Sequence, residues 1–329
     1  MFHGVCRVTD LHVSPGILTA VQWEDIEAAV KAARSPNTQR AYASAWRNWV
    51  SWCGPRGFHP LPADPQTVAA YLTDRAKEGL SVSTLDTARA AIRSMHRDSA
   101  LNDPTANPGV ELVLKGLKRL RGSAPVTQAH PVTTGELRRI LDCIHRESLR
   151  GKRDAALLLL GFAGAFRRSE LAALTVRDLV FKADGVIVTL RRSKGDQEGK
   201  GVVVGILRGQ VKASDPVFAV RDWIAASGIQ ENAPLFQRIA WSDRRVTGRA
   251  LTGQTVNRVL KVRSTAAGLD DLCLTGHSLR AGHATTAAEN GVPSERLART
   301  TRHKNLATLA RYVRPAEVLR DSSSGSLGL

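Results

Sequence analysis

The stretch GSAPVTQAHPVTT, residues 122–134, interrupts a regular chain and divides it into two halves. Before it, apolar residues recur at helical spacing, whereas after it helical runs alternate with two β-branched runs. Glycine, serine and proline in a cluster mark a loop, because they break helices and strands. The chain of 329 residues is long enough to bury two cores. We therefore predict one domain over residues 1–121, a linker over residues 122–133 and a second domain over residues 134–329.

The first domain is predicted to be all helical. The segment SPNTQRAYASAWRNWVSWC opens with Ser35 as an N-cap and Pro36 in the first turn, and apolar residues follow at helical spacing. The segment ADPQTVAAYLTDRAKEGL repeats this arrangement with Asp64 and Pro65. Further helices are predicted in SVSTLDTARAAIRSMHRDSA, in NPGVELVLKGLKRLRG and over residues 22–33.

The second domain is predicted to combine helices with a β-hairpin. Val186–Leu190 and Val202–Ile206 are β-branched runs on either side of the polar, glycine-rich turn RRSKGDQEGKG. This pattern is typical of two antiparallel strands joined by a turn. Helical segments precede and follow it. The predicted fold class is therefore mainly α with a small antiparallel β element, an α+β arrangement in two domains.

The charge of the chain favours a polyanionic partner. There are 47 Lys and Arg residues against 30 Asp and Glu residues, for a formal net charge of +17. Nucleic acid is the commonest partner of so basic a protein, although ribosomal or heparin-like polyanions and an anionic membrane surface stay open on charge alone. Two basic lobes could clamp a duplex between them. The predicted DNA-binding residues of the first domain form one basic stripe: Lys115, Lys118, Arg119 and Arg121.

The spacing of the cysteines and the lengths of the apolar runs bear on the cellular compartment of the protein. The four cysteines are far apart and form no CxxC pair, which is typical of reduced thiols in the cytosol. The sequence MFHGVCRVTDLHV lacks a cationic leader followed by a long apolar run. No stretch approaches the run of about 18 apolar residues that a membrane span requires. We therefore expect a cytoplasmic protein with no membrane partner.

Four short motifs contain side chains that could carry chemistry. They are Arg-x-x-Glu in GAFRRSELAAL, a lysine in the hairpin turn, His-x-x-Arg in TGHSLRAGH, and a histidine nine residues before a tyrosine in RHKNLATLARYVRP. Taken singly, they fit a surface ion pair, a solvated lysine, a helix cap and a core aromatic. Their order and spacing together are distinctive. The residues are Arg167, Glu170, Lys194, His277, Arg280, His303 and Tyr312.

This succession resembles the tyrosine recombinase, or phage integrase, family of Cre-like site-specific recombinases. The N-terminal half is similar to the helical, SAM-like core-binding domain of that family, and the resemblance extends over residues 30–316. It implies a two-domain DNA clamp whose second domain is catalytic, and an enzyme that breaks and rejoins DNA strands.

Two positions need comment against the family pattern. The family often has Leu-Gly before its second histidine, whereas Thr301 and Arg302 stand there in this chain, which leaves the backbone path at that point open. Arg168 lies beside Arg167, but the offset of three residues to Glu170 favours Arg167 as the functional arginine.

The resemblance assigns the central roles to two arginines and a tyrosine. Attack on a phosphodiester builds negative charge on the phosphoryl oxygens, which guanidiniums can hold by planar, charge-assisted hydrogen bonds. Arg167 and Arg280 are expected to do so. Tyr312 is expected to be the nucleophile, which forms a covalent 3′-phosphotyrosine and releases a 5′ hydroxyl.

The remaining roles concern protons and orientation. Lys194 is expected to be the general acid for the leaving 5′ oxygen, with Lys200 in the same turn as the alternative. His277 resembles the acid/base histidine of the family, and His303 would donate a hydrogen bond to a nonbridging oxygen. Glu170 is expected to orient its neighbours. Neither a metal ion nor another cofactor is expected, because the arginines would balance the charge that a metal balances elsewhere.

The resemblance also implies partners. These are double-stranded DNA with an inverted-repeat target site, a homo-tetramer on two duplexes that passes through a Holliday junction, and accessory factors that set direction. Arg302 and Lys304, on either side of His303, are predicted DNA contacts. Two other functions stay open: a DNA-relaxing enzyme like a type IB topoisomerase, and a catalytically silent DNA-binding regulator on the same fold.

Overall fold

The computed structural model describes residues 19–122, 130–191 and 201–302. The chain forms two compact units, Met1–Thr127 and Gln128–Leu329. The boundary between these units falls inside the predicted linker, of which residues 123–129 lie outside the described part. The assignment of separate domain roles to the two halves stays a prediction.

The described part of the first unit contains the five predicted helices. Local side-chain caps explain where they begin: Ser35 Oγ accepts a hydrogen bond from the backbone N–H of Thr38, and Asp64 accepts one from that of Gln66. Proline occupies the first turn of three of them, as its missing N–H allows. The helices are α1 (Ala20–Ala32), α2 (Pro36–Cys53), α3 (Pro65–Lys77), α4 (Val82–Asp98) and α5 (Pro108–Arg121).

Aromatic side chains from α2 and α3 form the centre of the first core. Trp49 is fully buried, stacks on Trp52 with ring centroids 5.9 Å apart, and meets the edge of Tyr71 at 5.0 Å. Its indole Nε1 donates a hydrogen bond to the Pro60 carbonyl at 3.0 Å, so the buried polar group is satisfied. The buried residues of this core come from α2, α3, α4 and α5.

The second unit is built around α7 (Leu149–Ala163), most of whose residues are buried. Helices α9 and α11 pack against it. The described helices of this unit besides α7 are α6 (Thr134–Asp142), α8 (Arg168–Ala173), α9 (Pro216–Ser227), α10 (Gly253–Ala266), α11 (Gly276–Glu289) and α12 (Ser294–Thr301).

The predicted hairpin is present and belongs to a three-stranded antiparallel sheet. Strand β2 (Gly185–Leu190) pairs with β3 (Val202–Leu207), with Val188 opposite Val204. The sheet order is β1-β2-β3, with β1 (Leu179–Phe181) on the other side of β2. The fold class predicted from the sequence, mainly α with a small antiparallel β element, is confirmed.

A second antiparallel pair was not predicted. It consists of β4 (Gln237–Ile239) and β5 (Val246–Ala250). β4 has only three residues, and β5 is exposed at most positions, so neither shows the alternation of apolar and polar residues that marks a half-buried strand.

Among the described residues, no helix is both long enough and apolar enough to cross a bilayer.

Candidate active site

Arg167 and Glu170 meet at the start of α8. Arg167 is the residue before the helix, so the pair is a helix cap rather than an ion pair on a helix face. The backbone N–H of Arg167 donates to Glu170 Oε2 at 2.8 Å, and its guanidinium Nη1 donates to Glu170 Oε1 at 2.6 Å. Glu170 is buried, whereas the Arg167 side chain keeps 24% of its exposure. The carboxylate therefore orients a guanidinium that still reaches solvent.

Arg280 lies on α11 and points into the protein. The residue is 1% exposed, and its guanidinium Nη1 donates to the carbonyl of Ala165 at 2.8 Å. Ala165 stands two residues before Arg167 and has a φ of 47°, in the left-handed region that residues with a side chain seldom adopt. This short turn between α7 and α8 thus joins the two arginines predicted to hold a phosphate.

His277 stands one turn before Arg280 on α11. The residue is exposed, yet partial shielding of its ring from solvent, followed by the charges of Arg280 and Arg167, lowers the pKa of His277. Both arginines therefore lie close enough to act on it electrostatically. A ring that is neutral at neutral pH can accept a proton, which is what an acid/base histidine needs.

A close approach of backbones holds α11 in place. The N–H of Val132 donates to the carbonyl of Ser278 at 3.0 Å, and Val132 is fully buried. A Cβ at Gly282 would fall 1.9 Å from the Val132 carbonyl oxygen, so only glycine fits there. The residues before α6 thus pack on the helix that carries His277 and Arg280.

His283, six residues after His277 on α11, has a structural position. Its Nδ1 lies 2.9 Å from the Phe162 carbonyl, and its ring meets the Phe162 ring edge-on. Burial, followed by the charges of Arg280 and Arg302, lowers the pKa of His283 despite the carbonyl. The neutral ring is therefore the form that the folded protein accommodates.

This depressed pKa makes a prediction about stability. Because the unfolded chain binds a proton near pH 6.5 and folded His283 binds it only at lower pH, the free energy of unfolding should fall as the pH drops below about 6.5. In His283→Asn the amide can still donate to Phe162, but no proton is taken up. Urea unfolding at neutral and mildly acidic pH should show a flatter pH dependence for His283→Asn. An equal dependence in both proteins would contradict this account.

The structure corrects the prediction for Arg302. Its side chain is 6% exposed and its Nη2 donates to Glu170 Oε2 at 2.9 Å and to the Ala165 carbonyl at 2.8 Å. Burial lowers the pKa of Arg302, and the adjacent Glu170 carboxylate opposes that shift. The guanidinium is thus engaged inside the protein and is not presented to DNA. In the sequence, the positive charge of Arg302 suggested a DNA contact at the surface, whereas the structure places its side chain inside the protein.

The stripe predicted on α5 is exposed. All four of its basic residues lie at the surface of the first unit. Lys118 Nζ is 3.1 Å from Asp86 Oδ2, and Arg121 donates to the Leu80 carbonyl at 3.2 Å. The contact of this stripe with DNA stays a prediction.

Several predicted site residues fall in segments outside the described part of the chain. β2 ends at Leu190 and β3 begins at Val202, and the turn between them holds two of these residues. The others follow α12. They are Lys194, Lys200, His303, Lys304 and Tyr312.

An open basic cavity that was not predicted from the sequence lies beside α11. Its volume is about 700 Å³, and its cationic side chains are Arg238, Arg258 and Lys261. The N-caps of α10 and α11, Thr252 and Thr275, also line it, so the positive ends of two helix dipoles face the same space. Basic residues three apart in NRVLKVR were the local signal, but only tertiary packing adds Arg238.

The cavity is tied directly to α11. Asn257 Oδ1 on α10 accepts a hydrogen bond from the backbone N–H of Gly276 at 2.8 Å, next to His277. An anion in the cavity would therefore lie beside the helix that presents His277 and Arg280. Within the described ranges, no group of three or more His, Cys, Asp or Glu residues could hold a metal ion.

Two arginines and a histidine are thus brought close together in the second unit of a mainly helical fold. The sequence profile of the phage integrase family matches residues 131–318, and that of the phage integrase N-terminal SAM-like domain matches residues 27–98. The chain belongs to the phage integrase family, the tyrosine recombinases, as its motifs indicated.

Similarity to individual proteins supports this family assignment. The chain is 32% identical over 297 residues to an integrase/recombinase XerD homolog of Selenomonas ruminantium, covering 89% of this chain and 86% of the relative. It is 24% identical to the recombinase Cre of Escherichia phage P1, covering 90% and 88%. The solved structure of the XerH site-specific recombinase bound to palindromic difH substrate, a post-cleavage complex, has the same fold with a TM-score of 0.60, at 18% identity, covering 81% of this chain and 72% of that one.

Proposed function

We propose that this chain is a site-specific DNA recombinase that cuts and rejoins strands through a covalent 3′-phosphotyrosine at Tyr312. The observation that carries the proposal is that Arg280 bonds to the turn at Ala165 which leads into Arg167, with His277 one turn before Arg280 on α11. Two guanidiniums and a proton acceptor in one place suit a phosphoryl group under attack. Solved structures with this fold include the XerH site-specific recombinase bound to difH substrate and a lambda integrase dimer bound to a COC' core site.

The proposed first step exchanges one P–O bond for another. The phenol oxygen of Tyr312 attacks phosphorus, its proton passes to His277, and the bond from phosphorus to the 5′ oxygen breaks. Lys194, or Lys200, gives a proton to the leaving 5′ oxygen. Arg167 and Arg280 hold the nonbridging oxygens with His303, so the charge that develops is met by donors already oriented.

The second step reverses the first with a different strand. A 5′ hydroxyl attacks the phosphotyrosine and gives its proton to the lysine, and the Tyr312 oxygen leaves with the proton that His277 returns. Because the energy of the phosphodiester is stored in the covalent link, no nucleotide cofactor is consumed. One exchange between two duplexes gives a Holliday junction, and a second resolves it. This sequence requires four subunits on two inverted-repeat sites, with accessory factors able to set direction.

The test is covalent trapping on the protein's own target. Bound duplexes are selected from a random pool, and the selected sequence is then prepared with a nick beside the expected cleavage point, so that the released fragment diffuses away. We expect a protein–DNA adduct whose peptide map places the DNA on Tyr312. A bound but uncut duplex would favour a silent DNA-binding regulator, and relaxation of any supercoiled plasmid would favour a topoisomerase-like enzyme.

The basic cavity predicts how affinity responds to salt. Removing one phosphate contact with Arg258→Ala should weaken binding to all sequences similarly and reduce the slope of log affinity against log salt by about 1. Arg138→Ala, which removes an exposed arginine of α6 outside the cavity, is the matched control. Fluorescence anisotropy at several salt concentrations measures both. An unchanged slope in Arg258→Ala would exclude the cavity from the DNA surface.

A further inference from the structure

Arg302 ends α12 in a backbone conformation that is unusual for arginine. Its φ is 57°, in the left-handed region where glycine is the common helix-ending residue. Arginine is disfavoured there because its Cβ crowds the following carbonyl. The side chain must therefore gain contacts that glycine would lack.

Those contacts are four donated hydrogen bonds in the interior of the second unit. Nη1 donates to the carbonyls of Gly164 at 3.1 Å and Thr300 at 2.8 Å. Nη2 donates to the carbonyl of Ala165 and to Glu170 Oε2. The guanidinium also lies over the Phe166 ring, 5.2 Å from its centroid. A planar guanidinium can serve acceptors on several sides at once, and a lysine ammonium cannot reproduce that geometry.

Two of the four acceptors are shared with the proposed phosphate-holding arginines. The Ala165 carbonyl accepts from Arg280 as well as from Arg302. The Glu170 carboxylate accepts from Arg167 through one oxygen and from Arg302 through the other. Arg302 thus touches the orienting partner of each arginine, and it is the residue directly before His303 in the sequence.

We propose that Arg302 is a positioning residue for strand cleavage, which fixes the Ala165 carbonyl and the Glu170 carboxylate and through them orients Arg280 and Arg167. It also anchors the start of the segment that leads to Tyr312 to the same turn. This inference rests on the proposed function. It explains why a basic residue beside the second histidine is buried, and why the backbone there tolerates a left-handed arginine.

Two substitutions distinguish the role of the Arg302 guanidinium from the role of the Arg302 backbone in ending α12. Arg302→Gly suits the left-handed backbone and removes every side-chain hydrogen bond. Arg302→Lys keeps a positive charge near buried Glu170 but not the four bonds. Arg299→Ala is the matched control, because Arg299 lies in the last turn of the same helix and is exposed.

The measurement is the single-turnover rate of covalent adduct formation at saturating nicked target DNA, beside DNA affinity and melting temperature. We expect Arg302→Gly to slow adduct formation about 10-fold or more at nearly unchanged affinity, since displacing a catalytic group by about 1 Å can cost about 10²-fold. Arg302→Lys should be intermediate, and Arg299→Ala should cleave normally. The combined effect of Arg302→Gly and Glu170→Gln should be smaller than the sum of the two single effects, because Arg302 acts in part through Glu170.

Each other outcome is decisive. Wild-type rate in folded Arg302→Gly, or additive effects with Glu170→Gln, overturns the positioning role and leaves the proposed function intact. If Arg302→Gly does not fold, Arg302→Lys decides: a slowed rate supports the role and a wild-type rate overturns it. If the wild-type protein forms no adduct with DNA that it binds, the proposed function fails and this inference fails with it.

Discussion

Tyr312→Phe is expected to form no covalent adduct with nicked target DNA while binding that DNA almost as the wild type does. The substitution removes one hydroxyl, and no other group in the proposed site is assigned to attack phosphorus. In a serine protease, loss of the nucleophilic hydroxyl lowers the rate by on the order of 10⁶. Denaturing gel electrophoresis of the trapped complex measures the adduct, and anisotropy measures the affinity.

A second tyrosine gives the control for this experiment. Tyr71 is buried against Trp49 in the core of the first unit, so Tyr71→Phe removes a hydroxyl that has no assigned role in the proposed chemistry. It should leave adduct formation unchanged at temperatures where the protein is folded. An adduct of normal yield in Tyr312→Phe would remove Tyr312 from the role of nucleophile.

Arg280→Lys is expected to slow adduct formation by about 10²–10³-fold, the usual cost of losing one preorganised donor to a developing oxyanion. The substitution keeps the charge, but an ammonium cannot donate to the Ala165 carbonyl and a phosphate oxygen with the geometry of a guanidinium. Single-turnover cleavage with saturating DNA isolates this step from binding.

Another buried arginine of the second unit is the comparison for Arg280. Arg153 is also buried, but it pairs with Asp154 elsewhere in the second unit. Arg153→Lys should lower the melting temperature without a comparable loss in the rate of bound complexes. If Arg280→Lys lost only stability and cleaved normally when folded, Arg280 would be a structural residue.

Local features were predictable because their causes are local. Ser35 and Asp64 cap helices through backbone groups two or three residues away, so the local sequence indicates where α2 and α3 begin. The hairpin β2–β3 is marked by β-branched runs around a glycine-rich turn. The pair β4–β5 has no such mark, because its strands are short and exposed.

Arg302 shows where such reasoning stops. Basic side chains are normally solvated, so the charge of Arg302 suggested a DNA contact. The buried acceptors that hold it come from the turn at Ala165 and from Glu170, more than 130 residues earlier in the chain. No local pattern indicates that a carboxylate from α8 meets the end of α12.

By itself the sequence determined the family and the mainly helical fold class, since these depend on order, spacing and short-range capping, and it predicted the residues that would attack a phosphodiester. Only the tertiary structure decided that Arg167 and Arg280 are joined through the Ala165 turn, that Arg238 completes a basic cavity beside α11, and that Arg302 is internal. The physical reason is that hydrogen bonds and burial depend on distance in space. These partners are brought together by the packing of α7, α8 and α11 in the main core of the second unit and of α12 on α11 through a separate apolar cluster.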